Sequence, residues 1–534
     1  YNINKIYLDA YKQINTPFGT KYPEVNEAID KQVAKGTLMI NYTGHGGETG
    51  LASENVLTMD EIEQYTNYYN LPIFVTATCE FSRYDNPAFL SAGEKLLLSQ
   101  KGGSIALFST TRVAYAHSNE IVNRNLLKTA FIPVSGDRVR FGDMIRKAKN
   151  LCAAGVYMQN FTLLGDPALA FAVPEYQVIT DFCGIDTASA NDTLFNNSVV
   201  TVRGHIADAD SVWQPDFNGK LFPLVFDKPV LCQTLANDPG ASQIRDFYIQ
   251  QNEIYRGNVT VTNGTFEFSF FVPRDISFSD GFGKISYYAK SLNHDAVGVL
   301  DSLKLFNDGN NESDDITGPA IDAFMETLSF VDGDKTSSQP LMLLHLWDTS
   351  GINSYNIGIG HEITAVLDDD FNNPICLNDY FLQEADNYAA GSITYRFNTL
   401  AYGAHKIIVK AFDLLNNSSE TEIHFYVEPP ADAGFGKVYN YPDPFYDYTT
   451  FYIEHNMSLA EMQVKIHVFD ITGRLSAEID FEIPAGQYLP TEWRWNGCNQ
   501  HGEPLSKGLY SYTVTLTDNN GKQKRCSDKL IILK

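Results

Sequence analysis

LPIFVTATCE, residues 71–80, sets Ile73, Phe74, Val75 and Ala77 around a single threonine and then stops at Thr78-Cys79-Glu80. A strand with one wet face alternates apolar and polar residues, whereas a strand covered on both faces stays apolar throughout. The stretch therefore reads as a buried strand inside an α/β sheet. TLMINYTGHGG, residues 37–47, has the same plan: a short strand at 37–42, then His45 set among Gly44, Gly46 and Gly47. A third strand is expected at 104–109 and a first one at 5–8, with helices over 23–35, 60–66, 91–100, 118–129 and 137–151. Apolar strands separated by helices imply a parallel sheet covered on both faces, which makes residues 1–174 an α/β domain.

The two strand ends carry the chemistry. Ligands of open α/β sheets bind beyond the carboxyl ends of the strands, and adjacent strands lie about 5 Å apart. His45 and Cys79 can then overlook one crevice. A thiolate attacks a peptide carbonyl, and an imidazolium donates the proton that the leaving amine requires. The backbone N–H groups of Gly46 and Cys79 are the candidate donors to the oxyanion that develops. Glycine has no side chain to obstruct a close backbone approach, which accounts for glycines beside the histidine. A cysteine at a strand end, taken alone, is most often a small buried hydrophobe. A GHGG turn alone suits a purely structural turn or the oxyanion loop of a lipase-like hydrolase, but the GxSxG elbow that such a hydrolase needs is missing from the sequence. There is also no HExxH, no P-loop and no CxxC pair.

Composition narrows the classes further. The 534 residues exceed one core and suggest three to four domains. A formal net charge of −26 argues against a nucleic-acid partner, which requires a basic footprint. No apolar run approaches the roughly 20 residues of a membrane helix. Seven cysteines, an odd number, leave at least one thiol unpaired within the chain.

Beyond residue 174 the pattern turns to short alternating strands. We expect β units over 175–315, 316–430 and 431–534, with a hairpin turn at Asn263-Gly264 and a linker at Pro429-Pro430. The acidic loops Asp314-Asp315 and Asp368-Asp369-Asp370 offer ligand chemistry for a structural calcium ion, but none has EF-hand spacing. Solvated loops are the reading adopted, and no cofactor is expected. His117, His205, His294 and His405 have no metal-like spacing. Cys498 and Cys526 are candidates to pair if the chain is exported.

Four motifs in order, NYTGHGGETGLASENVLT (41–58), LPIFVTATCEFSRYDNP (71–87), GGSIALFSTTR (102–112) and NFTLLGDPALAF (160–171), resemble the core of the gingipain family of cysteine peptidases. The resemblance implies a caspase-like fold with His45 and Cys79 as the dyad. It places Glu80 and Arg112 in motifs that border the substrate cleft and Asp166 in a turn. Such a sheet needs more than the roughly 35 residues that precede the histidine strand. We therefore expect further strands and an acidic partner for the histidine upstream of Tyr1, so that this domain is N-terminally incomplete.

KVYNYPDPF (437–445), VKIHVFDITGRL (464–475) and WRWNGCNQHGEPLSKGLYSYTV (493–514) resemble the C-terminal sorting domain of type IX secretion cargo. DITGPAIDAFM (315–325) and the DLLNNSSE turn (413–420) resemble an Ig-like segment in the family's sortase members, which work on bacterial surfaces. That resemblance implies cleavage of sorting domains from cargo and attachment of the cargo to surface lipopolysaccharide. It also implies docking on an outer-membrane β-barrel partner of PorV type. A secreted protease of broader specificity and an idle surface scaffold are the alternatives.

Overall fold

The computed structural model describes residues 2–17, 19–131, 138–152, 156–185, 193–238, 240–307, 309, 314–355, 360–428, 435–455, 462–483, 491–517 and 523–533. They form two units, Tyr1–Asp315 with Gln383–Tyr388, and Ile316–Leu382 with Ala389–Lys534. The linker expected at Pro429-Pro430 and the start of the helix expected from residue 137 lie outside the described residues.

In the first unit β1 (Met39–Thr43) runs into a small antiparallel sheet of β2 (Gly46–Gly47), β3 (Gly50–Leu51) and β4 (Leu57–Thr58). Strands β5 (Ile73–Ala77), β6 (Ala106–Thr110) and β7 (Phe161–Leu164) complete a four-stranded sheet of order β1-β5-β6-β7. The first three strands are parallel, and β7 returns antiparallel to β6, which makes the sheet mixed. The longer helices are α1 (Pro23–Lys35), α2 (Met59–Gln64), α3 (Ala92–Leu98), α4 (Ala116–Ala130) and α5 (Phe141–Asn150), and a single helical turn follows at Val156–Gln159. Capping boxes start two of them. Thr58 and Glu61 exchange side-chain and backbone hydrogen bonds at α2, and Ser91 and Glu94 do so at α3.

The apolar strands are explained by what lies on each side. Phe74 and Leu107 face a core that includes Val25 and Val33 of α1, Ile62 of α2 and Leu96 of α3. Ile73, Val75 and Phe108 face the opposite core, with Leu126 of α4 and Phe141, Met144 and Ala148 of α5. Every residue of β5 and β6 is buried. The strand expected at 5–8 does not form; a single 3-10 turn follows at Leu8–Ala10. Its neighbourhood is pinned instead by the hairpin of Val230–Gln233 with Asp246–Ile249: Leu235 N–H, just past the first of these strands, donates to the Asp9 carbonyl, and Lys5 Nζ reaches the Tyr248 carbonyl at 2.7 Å.

Besides three two-stranded pairs, the first unit continues with β8 (Tyr176–Gly184), β9 (Val199–Ala207), β10 (Gly219–Phe226), β11 (Glu253–Arg256), β12 (Val259–Val261), β13 (Thr265–Phe271), β14 (Gly283–Ser291) and β15 (Asp295–Leu303). They make one sheet of order β11-β10-β14-β15-β8-β9-β13, with β12 on β10. Asn263 and Gly264 turn the chain with φ of 52° and 69°, while Thr262 and Thr265 exchange both backbone hydrogen bonds. Positive φ at both central residues is what a primed hairpin turn demands.

The second unit holds two β-sandwiches, each a pair of sheets around one core. In the first, Met342, Leu344 and Leu346 pack with Ile407, Val409 and Phe425 of the facing sheet. Its long hairpin pairs Gly403–Phe412 with Ser418–Val427, and the turn is closed by the Asp413 carboxylate accepting from Leu415 N and Asn417 N. In the second, Phe451, Ile453 and Trp495 meet Val464, Ile466, Tyr512 and Val514.

Phe74 is fully buried and carries one face of the α/β sheet. Replacing it with alanine should cost this domain about 3–5 kcal/mol. Amide exchange should accelerate in peptides covering β5 and β6 and stay unchanged in the strand at Met462–Phe469.

Candidate active site

Register sets the site. β1 pairs with β5 from Met39 opposite Ile73 to Thr43 opposite Ala77, and Gly44 N–H donates to the Ala77 carbonyl at 3.4 Å. His45 and Cys79 therefore each stand two residues past the last matched pair, on neighbouring tips. The tips touch directly. A Cβ on Gly46 would lie 2.4 Å from Thr78 Oγ1 and 3.2 Å from Thr78 Cγ2, so only glycine fits there. On the other side of the turn, Tyr42 donates its hydroxyl proton to the His45 carbonyl at 2.7 Å. Burial and then the charge of Glu54 push the Tyr42 phenol up to about 12, so it stays a neutral donor at physiological pH.

The imidazole of His45 is exposed, and among the described residues no hydrogen bond or ion pair engages it. The Cys79 thiol is half-buried and lies 3.4 Å from both the backbone nitrogen and the carbonyl oxygen of Ala114. No hydrogen bond joins the Cys79 sulfur to the His45 ring. Catalytic hydrogen bonds are often long before substrate binds and tighten only around it. Both backbone donors of interest are open. Ala52 N–H donates to the His45 carbonyl, which makes His45 and Ala52 a bonded pair. The next pair, Gly46 with Leu51, must then be the non-bonded one, with the Gly46 N–H directed away from β3. Among the described residues the Cys79 N–H has no acceptor either.

The other residues singled out from sequence are committed to neighbours. Glu80 adopts a left-handed φ of 51° and lies 3.5 Å from Arg83. Arg112 holds Asp85 with both guanidinium nitrogens, which keeps the Asp85 carboxyl below the usual carboxylate range. Asp166 accepts from Ala168 N–H at 2.8 Å within its turn. The acidic run at 368–370 is occupied by protein partners: Asp368 by His405 Nδ1 at 2.7 Å, Asp369 by Lys406 Nζ at 2.8 Å, and Asp370 by Asn373 Nδ2 at 2.8 Å.

All seven cysteines are free thiols, which corrects the pairing considered for Cys498 and Cys526. Cys526 packs against the terminal core, whereas Cys498 lies in a turn beside the Asn496 carbonyl, so the two have different surroundings.

Sequence reasoning missed the residues that hold the tips in place. Asn123 of α4 donates to Asn41 Oδ1 at 3.0 Å and to Thr43 Oγ1 at 2.9 Å on β1. Thr110 and Asn119 both donate to the Thr78 carbonyl. These are contacts between residues distant in sequence, and no local pattern reports them.

Because Gly46 abuts Thr78, a Gly46→Ala change should lower turnover by at least about 10-fold through displacement of one tip from the other. Adding Thr78→Ala removes the two Thr78 atoms and leaves the Gly50 carbonyl oxygen at 3.3 Å, so the double variant should recover most of the loss. Steady-state rates of the four-member cycle measure this coupling.

Residues 1–172 match the model of peptidase family C25. Among solved structures, dimeric latent PorU from Porphyromonas gingivalis is similar at 27% identity, covering 81% of this chain and 41% of that one with a TM-score of 0.36. The complex of the Porphyromonas gingivalis RgpB pro- and mature domains is similar at 16% identity, 51% and 57% coverage and a TM-score of 0.26. The Arg-specific cysteine proteinase gingipain R (RgpB) follows at 17% identity, 51% and 56% coverage and a TM-score of 0.24. This chain thus spans about two-fifths of the PorU chain it matches. No curated protein matches. The stretch that matches the family model, residues 1–172, contains both strand tips, those of His45 and of Cys79.

Proposed function

We propose that the chain acts as a cell-surface sortase: it cleaves C-terminal sorting domains from type IX secretion cargo through a Cys79 thioester and passes the cargo to lipopolysaccharide. The observation that carries the reading is the placement of His45 and Cys79 on adjacent, register-matched strand tips within the C25 match, beside two unclaimed backbone N–H groups. The likeness of residues 437–514 to a sorting domain supports the choice of substrate and of a PorV-type β-barrel as docking partner. Among the described residues no helix is long and apolar enough to cross a membrane. Peripheral attachment through the terminal β-sandwich is the arrangement proposed.

In the reaction, His45 takes the thiol proton as the Cys79 sulfur forms a bond to the scissile carbonyl carbon. The carbonyl oxygen becomes an oxyanion facing the N–H groups of Gly46 and Cys79. Collapse breaks the C–N bond, and the His45 imidazolium gives its proton to the departing sorting domain, which leaves an acyl thioester on Cys79. An amine then attacks the thioester, His45 accepts its proton, and the Cys79 sulfur leaves and is reprotonated. Glu80 and Arg112, through Arg83 and Asp85, shape the wall of the cleft and take no chemical part.

The test uses the full-length protein that carries this chain. Cys79→Ala and His45→Ala should each reduce cargo cleavage by at least about 10⁴-fold. With wild-type enzyme and an acceptor amine supplied, mass spectrometry of the new cargo C-terminus should show the amine joined to it. A free carboxylate alone would reduce the assignment to a peptidase, and full cellular function of Cys79→Ala would make the chain a scaffold.

A further inference from the structure

The peptide between Thr78 and Cys79 is gripped from one side. Its carbonyl oxygen accepts from Thr110 Oγ1 at 2.8 Å, at the end of β6, and from Asn119 Nδ2 at 3.1 Å, in the first turn of α4. Both donors are buried, Thr110 at 0% exposure and Asn119 at 4%. A peptide is planar and almost always trans, so its N–H points opposite to its C=O. Holding the Thr78 carbonyl against β6 and α4 therefore aims the Cys79 N–H away from them. Two donors on one carbonyl also polarise the whole peptide and make that N–H a stronger donor.

Asn119 shows what its position demands. Its Oδ1 is buried without a hydrogen-bond partner among the described residues. An unsatisfied buried acceptor is unfavourable, and an apolar residue of similar size would avoid it. Only the donor half of the amide is used, and it is used on the Thr78 carbonyl. One turn later on the same helix, Asn123 ties down β1. The helix α4 thus secures both tips, one through each asparagine.

Resting on Cys79 as nucleophile, we propose that Thr110 and Asn119 are positioning residues for the oxyanion: they fix and polarise the Cys79 N–H that receives it. The thiol's hydrogen-bond partner is the Ala114 backbone and neither of these side chains, so their loss leaves the sulfur's own reactivity intact. They act only where a tetrahedral oxyanion forms.

The test compares Thr110→Val, Asn119→Leu and the double variant in the full-length protein, with Thr110→Ser as the conservative control. Three readouts are taken: cargo cleavage, inhibition by the aldehyde of the peptide ending at the cargo's cleavage site, and Cys79 alkylation by iodoacetamide. The aldehyde forms a thiohemiacetal whose oxygen occupies the oxyanion position, whereas alkylation displaces iodide and forms no oxyanion. The double variant should lose on the order of 10²-fold in kcat, with KM unchanged within about twofold. Aldehyde affinity should fall by a similar factor while the alkylation rate holds, and Thr110→Ser should behave as wild type. Unchanged aldehyde affinity, or alkylation slowed in step with turnover, would overturn the proposal. If Asn119→Leu does not fold, Thr110→Val, close in shape to the native residue, carries the same test alone. Full cleavage by Cys79→Ala would sink the nucleophile reading itself and is scored separately.

Discussion

The pairing of β1 with β5 is the constraint on which the site depends. Thr43 opposite Ala77 brings the histidine turn and the cysteine turn level, and Gly46 then packs on Thr78. A slip of one residue would exchange the two faces of β5. Phe74 would leave the α1–α3 core for the α4–α5 side, and Val75 would make the reverse move. Each face is filled by its own helices, so the slip is resisted by the packing of the whole domain. The buried core, rather than any bond between His45 and Cys79, sets how far apart their backbones lie.

The loops beyond the tips are joined by charge. Glu48 follows the histidine turn, and its carboxylate takes Arg83 Nη1 at 2.9 Å and Asn86 Nδ2 at 2.6 Å from the segment after Cys79. Ala92 N–H donates to the Glu48 carbonyl at 2.7 Å, which ties the start of α3 to the same point. Glu48 is mostly shielded, with 17% side-chain exposure against 38% for Arg83. Exposed ion pairs contribute little, whereas a shielded carboxylate that lost its partners would be left poorly solvated. The network therefore resists separation of the histidine side from the cysteine side. Glu80 joins this framework through Arg83 at 3.5 Å, and Arg112 pairs with Asp85 in the same segment.

Much of this was legible in the sequence wherever burial imposed a pattern. β5 and β6 are apolar because helices cover both faces, and α1 begins at Pro23 and ends before Gly36, as its residues suggest. The placement of His45 and Cys79 at neighbouring strand ends was legible because each follows such a strand directly. The segment at 5–8 misled, because it meets the distant hairpin of residues 230–249 through side chains, Lys5 on the Tyr248 carbonyl and Tyr7 on Phe247, and not through a backbone ladder. The sheet of β2, β3 and β4 was invisible because two-residue strands have no period to detect. Thr110, Asn119 and Asn123 escaped for a different reason. Threonine and asparagine are ordinary residues in such places, and only the tertiary fold shows which carbonyl or side chain they bind.

The dyad chemistry alone does not choose between hydrolysis and transfer. In the proposed mechanism either water or an amine can attack the Cys79 thioester, with His45 as the base for both. His45 is exposed, so the described surface does not by itself keep water from the acyl carbon. The choice must then be made by positioning. Groups held in a near-attack geometry reach effective molarities of about 10⁵–10⁸ M, enough for a bound amine to outcompete bulk water without any change in the catalytic residues. A transferase built on this site needs a binding surface for its acceptor more than a different dyad. Selection for transfer would therefore act on the segments around the tips, where Glu48 pairs with Arg83 and Asp85 with Arg112, more than on His45 and Cys79 themselves.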